Sequence, residues 1–202
     1  MSLHPEKCVV LHFGRNNPNH AYFIGQQQLN AVPYAKDLGV IISNTCESSL
    51  HIDKITKSAH AVLSQVRRAI HLRDSHTFLT IYKSFVRPLL ESAAPAWNPT
   101  KREDVNRLEK VQKRALRMIS DTASLSYEDK LARLSIQSLE DRRRRGDAIE
   151  VFKTINGFNN IDPSAWFNFV QDRHNVNTRS YSDNLLVPGK TRLNIRHAFF
   201  TN

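Results

Sequence analysis

Hydrophobic positions along this chain change their period near residue 50. Before that point they fall in short runs between turn residues, and after it they recur at spacings of three and four. Lys7–Phe13 reads as a first strand and is broken by the turn-rich Gly14–Asn19. Tyr22–Ile24 reads as a second strand, Gly25–Gln27 as a turn and Leu29–Val32 as a third strand, while Leu38–Ile42 gives the strongest strand signal. Such a sheet has too little apolar surface to stand alone and needs helices or another domain behind it. Helical stripes come next, the first through Ile52, Ile55, Ala59, Val62, Leu63, Val66 and Ile70. Ser75 opens a second helix that turns Phe78, Leu79, Tyr82, Phe85, Val86, Leu89 and Leu90 inward, and Pro88 within it predicts a kink. A third stripe runs through Val105, Leu108, Val111, Ala115, Leu116 and Ile119. Ser126 with Asp129 predicts a capped short helix through Leu134, and 138–156 a longer one closed near Gly157. From Phe158 onward the pattern weakens. The expectation is an α+β fold, mostly α. A small N-terminal antiparallel sheet occupies 1–50, a helical bundle 51–157, and a loosely ordered tail with one short helix or strand 158–202.

Charge sharpens this picture. The 202 residues carry a formal net charge of +10 and a sequence pI near 9.9. Of the 29 basic and 19 acidic side chains, only three of each fall within residues 1–50, so the whole excess lies in the helical remainder. That asymmetry favours an anionic partner, nucleic acid before a membrane surface. Cys8 and Cys46 are too few for a disulfide framework and read as reduced thiols. With no apolar run near eighteen residues and no signal-peptide core at the N-terminus, the chain reads as soluble, nuclear or cytoplasmic, and not secreted.

The candidate contacts are basic. Arg107, Lys110, Arg114 and Arg117 recur at three, four and three beside the apolar stripe of the third helix, with only Glu103 and Glu109 near in sequence. Cations in register on a docked rod suit a chain of phosphates, although basic helix faces are often merely solvated. Lys83 and Arg87 lie four apart on the second helix. In the run Arg142–Arg145 at most two side chains can share a ligand, with Arg142 and Arg143 the candidates, and Glu140, Asp141, Asp147 and Glu150 stand ready to pair them. Trp97 could stack on a base, but after Pro95 it reads as a core plug, and Tyr82 likewise reads as core. Cys46, His51, His60, His71 and His76 lack any zinc-ligand frame, and no nucleophile motif or phosphate-cradling glycine loop occurs.

Particular residues carry a resemblance to the region after the polymerase palm in jockey-like non-LTR retrotransposon reverse transcriptases. That region reads Leu-Tyr-Lys-Ser-x-Val-Arg-Pro-x-Leu-Glu-Tyr-Ala, then Trp-x-Pro, then Leu-Glu-x-Val-Gln-x-Arg-Ala. The corresponding positions are Ile81-Tyr82-Lys83-Ser84, Val86-Arg87-Pro88, Leu90-Glu91-Ser92-Ala93, Trp97-Asn98-Pro99 and Leu108 through Ala115. His4-Pro5-Glu6-Lys7-Cys8 and Lys36-Asp37-Leu38-Gly39-Val40 resemble strand motifs ahead of them. Ser126-Tyr127, Leu131, Ser138-Leu139, Arg142-Arg143 and Gly146-Asp147 resemble the later helices. Ser92 stands where the family has tyrosine and Ala148 where it has leucine, a drift expected of a decaying copy. The chain stops before the Trp-Asn-x-Leu-Pro element that usually ends the pattern.

The resemblance implies the end of a palm, a thumb-like helical bundle and the segment C-terminal to that thumb. It implies as partners an RNA–DNA or RNA template–primer duplex and the remainder of the palm, with no membrane and no small-molecule substrate for this chain alone. Polymerases of this kind hold two Mg ions on palm carboxylates, including a Tyr-x-Asp-Asp pair. No Tyr-x-Asp-Asp occurs in this sequence, so no cofactor is expected in this chain and polymerisation by it alone is not. The acid pairs Glu103-Asp104, Glu128-Asp129 and Glu140-Asp141 read as helix starts, where carboxylates meet the positive end of the dipole. Three rival readings stay open: a stand-alone nucleic-acid-binding module, a bundle that docks an acidic protein, and an inert remnant.

Overall fold

The computed structural model describes residues 4–14, 16–70, 74–169 and 186–187. It is α+β and mostly α, as the periodicity requires. Contacts divide the chain into two compact units, 1–124 and 125–202. The N-terminal strands share the first unit with the helices that follow them, and His51 and Glu47 tie the two together. The Ile41 N–H donates to His51 Nδ1 at 3.2 Å, and the Lys101 ammonium meets the Glu47 carboxylate at 2.8 Å.

Six short strands open the first unit: β1 (Val9–Val10), β2 (Phe23–Ile24), β3 (Gln27–Gln28), β4 (Asn30–Ala31), β5 (Tyr34–Asp37) and β6 (Val40–Ser43). They pair as three separate two-stranded ladders, β2 with β3 and β5 with β6 antiparallel, and β1 with β4 parallel. The strand expected over Leu38–Ile42 begins two residues later. Leu38 and Gly39 form the hairpin turn, at φ 44° and 95°, and positive φ at both central positions is what a two-residue hairpin needs to match strand twist. Leu38 stands 98% exposed at the tip. Tyr34–Asp37, the partner strand, was not legible because its exposed residues show no apolar alternation.

Helix α1 (Ser49–Ala69) buries Ile52, Thr56, Ala59 and Leu63, spaced four, three and four. Thr56 is tolerated inside because its hydroxyl donates to the Ile52 carbonyl at 2.7 Å. Helix α2 (Ser75–Ile81) is capped by Asp74, one residue before the expected Ser75. The Asp74 carboxylate accepts the Thr77 N–H, which holds its pKa below the usual carboxylate range. A π-helical turn (Tyr82–Val86) then leads into α3 (Arg87–Glu91). Pro88 accounts for that turn: in a regular α-helix its ring would collide with the carbonyl one turn back, and widening relieves the collision. The Arg87 N–H accordingly reaches the Tyr82 carbonyl, five residues back. The buried residues recur strictly at four, Phe78, Tyr82, Val86 and Leu90, a spacing that would drift off one face of a 3.6-residue helix. The same change of phase turns Phe85 outward, 63% exposed, against the inward position expected for it.

A short α4 (Ala94–Trp97) comes next, entered through Ala93 at φ 54°. Helix α5 (Arg102–Leu116) then buries Val105, Leu108, Val111, Ala115 and Leu116, with Ile119 buried just beyond it. Ser49 meets Asp104, Asp53 meets Arg107 and His60 meets Arg114, so α1 and α5 advance together, parallel and side by side. The α2–α3 segment returns between them in sequence. Its start is tied to Asp121 by the Ser75 N–H, and the turn after it brings the Trp97 ring within 5.1 Å of His51.

The second unit holds α6 (Tyr127–Arg133) and α7 (Leu139–Ile155), each opened by a serine whose hydroxyl accepts the N–H three residues on: Ser126 from Asp129 and Ser138 from Asp141. Helix α7 closes on Gly157 at φ 69°. The Phe158 N–H returns to the Lys153 carbonyl and the Gly157 N–H to that of Thr154. Phe158 stacks on Phe152 at 6.0 Å, the apolar contact that accompanies such a C-terminal motif. Beyond a 3₁₀ turn at Pro163–Ala165, β7 (Asn168–Phe169) pairs antiparallel with β8 (Leu186–Val187), where the sequence left one short helix or strand open. The rest of the expected loose tail, 170–185 and 188–202, lies outside the described residues.

Candidate nucleic-acid interface

The apolar face of α5 sets the geometry of its basic one. Leu108, Val111, Ala115 and Leu116 are wholly buried, which fixes the rotation of the helix. The structure then separates the four predicted cations. Lys110, Arg114 and Arg117 are exposed. Arg107 is half-buried and committed, with Nη2 at 2.6 Å from Asp53 and Nη1 at 3.2 Å from Asp104. Glu103 and Glu109 were the acids visible nearby in sequence, yet the deciding ones are Asp53, brought from α1, and Asp104, turned into the core. Asp104 also accepts a hydrogen bond from the Ser49 hydroxyl and is only 3% exposed. Arg107, expected as a phosphate contact, is therefore engaged as a strut between helices. Lys57 shares Asp53 at 2.6 Å, and that bond, ahead of the Arg107 contact, keeps the Asp53 carboxyl below its ordinary pKa.

Arg114 is held differently. Its Nη1 lies 3.1 Å from His60 Nδ1 and its Nη2 3.5 Å from the Ser64 hydroxyl, both on α1. A guanidinium always donates, so His60 Nδ1 must accept, and the imidazole beside it is neutral. Burial first, and the Arg114 charge second, keep the His60 pKa below the ordinary histidine value.

Lys83 is exposed on the π-helical turn, while Arg87 is half-buried 3.6 Å from Glu91. Among the described residues neither is hydrogen-bonded or ion-paired to α5. In the second unit, the arginine run divides as a helix requires: Arg143 is 3% exposed and Arg142 half-buried, whereas Arg144 and Arg145 face out. Arg144 pairs with Glu140 at 2.9 Å. Arg143, expected as a phosphate contact, is thus turned into the interior of its unit. The three acid pairs all fall in the first turns of α5, α6 and α7, as expected.

Trp97 and Tyr82 are core residues. Trp97 is 4% exposed and its indole N–H donates to the Ser92 carbonyl at 2.7 Å; the Tyr82 hydroxyl, fully buried, donates to Gln112 Oε1 at 2.6 Å. His51 is buried against Trp97 with Nδ1 accepting from Ile41, and burial, followed by the nearby Lys54, lowers its pKa from the usual 6.5. Because the unfolded chain takes up this proton at a higher pH than the folded one, the stability His51 confers is complete above about pH 6.5 and falls as pH drops further. Urea midpoints should be level between pH 8 and 7 and decline towards pH 5.5. His51→Asn, which keeps an acceptor for Ile41, should flatten that decline; an unchanged slope would remove His51 as its source.

Among the described residues no group of His, Cys, Asp and Glu could hold a metal ion, and no helix is long and apolar enough to cross a membrane.

What fold and surface define is a mostly helical α+β chain with a docked basic helix. Comparison with known proteins adds one relative. Over 110 residues, 53% of this chain, it is 24% identical to an uncharacterized protein of Caenorhabditis elegans, and the match spans 56% of that protein. No family model and no solved structure matches.

Proposed function

We propose that the helical part of this chain grips a nucleic-acid duplex by its phosphates, as the thumb does in the reverse transcriptases that its sequence resembles, without itself polymerising. The observation that carries this reading is α5. Its apolar face is sealed in the core, and its exposed face offers Lys110, Arg114 and Arg117 at helical spacing, with no acidic partner to any of the three among the described residues. Phosphate contacts carry no base information, so the chain discriminates duplex shape, with an RNA–DNA hybrid or RNA duplex as the natural ligand. The remainder of a palm as second partner is supported by the N-terminal ladders, which leave Phe13, Tyr22, Phe23 and Tyr34 about half exposed.

Fluorescence anisotropy of the full chain with a labelled RNA–DNA hybrid, titrated with salt, tests the reading. Log affinity should fall linearly with log salt, by slightly under about one unit of slope per phosphate contacted. Replacing Lys110, Arg114 and Arg117 together by alanine should flatten the slope by about one unit per lost contact. Absence of binding at low salt, by a chain that circular dichroism shows folded, would overturn the proposal.

A further inference from the structure

The α5 stripe has a second wall. On α1, Asp53, Lys57, His60, Ser64 and Arg67 recur at four, three, four and three, which places them on one face of the helix, and Arg68 borders them. That face meets α5, because Asp53 touches Arg107, and His60 and Ser64 touch Arg114. As the two helices are parallel, the seam between them has unlike ends. At the N-terminal end Asp53 and Asp104 neutralise Lys57 and Arg107. At the C-terminal end Arg67 and Arg68 of α1 and Arg114 and Arg117 of α5 are all exposed, with no carboxylate paired to any of them among the described residues.

We propose that the C-terminal half of the α1–α5 seam is a two-walled phosphate-binding site, in which His60 and Ser64 position the Arg114 guanidinium and Arg67, Arg68 and Arg117 supply the charges around it. This deepens the duplex-binding reading and rests on it. It moves the contact away from Arg107 and adds α1 residues to the single stripe. His60 Nδ1 and the Ser64 hydroxyl occupy one N–H on each Nη of Arg114, which leaves its remaining donors for an incoming phosphate.

The test uses the full chain and the same labelled hybrid, titrated with salt at constant pH. Arg67→Ala/Arg68→Ala should weaken binding and reduce the salt slope as much as a pair of α5 cations does, whereas Arg107→Leu should leave the slope unchanged. His60→Ala should weaken binding, and His60→Gln, which keeps an acceptor for Arg114, should bind like the parent. If the duplex binds with a steep salt slope that Arg67→Ala/Arg68→Ala does not alter, the seam is refuted and the broader reading stands. If the α1 pair matters but His60→Ala binds like the parent, the positioning role of His60 is refuted. If no duplex binds, both readings fall together. Thermal unfolding of each variant separates lost binding from lost folding.

Discussion

Replacing Trp97 by alanine should cost this protein about 3–5 kcal/mol of unfolding free energy, the range for emptying a buried aromatic site. Trp97 fills the junction where three separate stretches of chain meet. Its indole N–H closes the turn on the Ser92 carbonyl, and its ring lies against His51, whose Nδ1 in turn holds the Ile41 N–H of β6. Alanine removes the ring, orphans a carbonyl and opens a cavity beside a buried imidazole. Trp97→Phe keeps most of the volume and loses the hydrogen bond, so about 1–2 kcal/mol should be lost. Denaturant unfolding measures both. A Trp97→Ala chain as stable as the parent but weaker on nucleic acid would make Trp97 a base-stacking residue instead of a plug.

Asp104→Ala should be the second severe change, at about 3 kcal/mol, because it takes one partner from a nearly buried ion pair and also strips the Ser49 hydroxyl of its acceptor. Arg107 would keep Asp53, which limits the loss. Removing Arg107 as well, in Asp104→Ala/Arg107→Leu, should then cost less than the sum of the single changes, since the two residues share one network. Additive losses in that cycle, read from urea denaturation, would mean that Asp104 acts only as a first-turn carboxylate on the helix dipole. The pair matters beyond stability because it sets which cations remain for a ligand.

Both changes lie at places where the sequence told half of the story. The apolar stripe of α5 was legible because a three-four spacing has one geometric meaning, and Leu108, Val111, Ala115 and Leu116 are all buried. The serine caps of α6 and α7 and the glycine stop after α7 were legible for a local reason: each motif is closed by backbone groups within a few residues. The start of β6 was misplaced because a leucine at positive φ gives no warning, whereas glycine beside it did. Phe85 was misplaced because a proline's effect on helical phase spreads over the preceding turn.

The sequence by itself determined the class of fold, the positions of the helices, the placement of the positive charge and the absence of a Tyr-x-Asp-Asp carboxylate pair. Each of these comes from local periodicity or composition. Tertiary structure decided which cations are available. Arg107 and Arg114 lie on the same stripe of one helix. They part because α1, some 54 residues earlier in the chain, brings a carboxylate to the first and a neutral histidine to the second. A charge–charge attraction depends on distance in space and not along the chain, so α5 alone shows only Asp104, three residues before Arg107, and the carboxylate of Asp53 and the imidazole of His60 appear only with α1 in place.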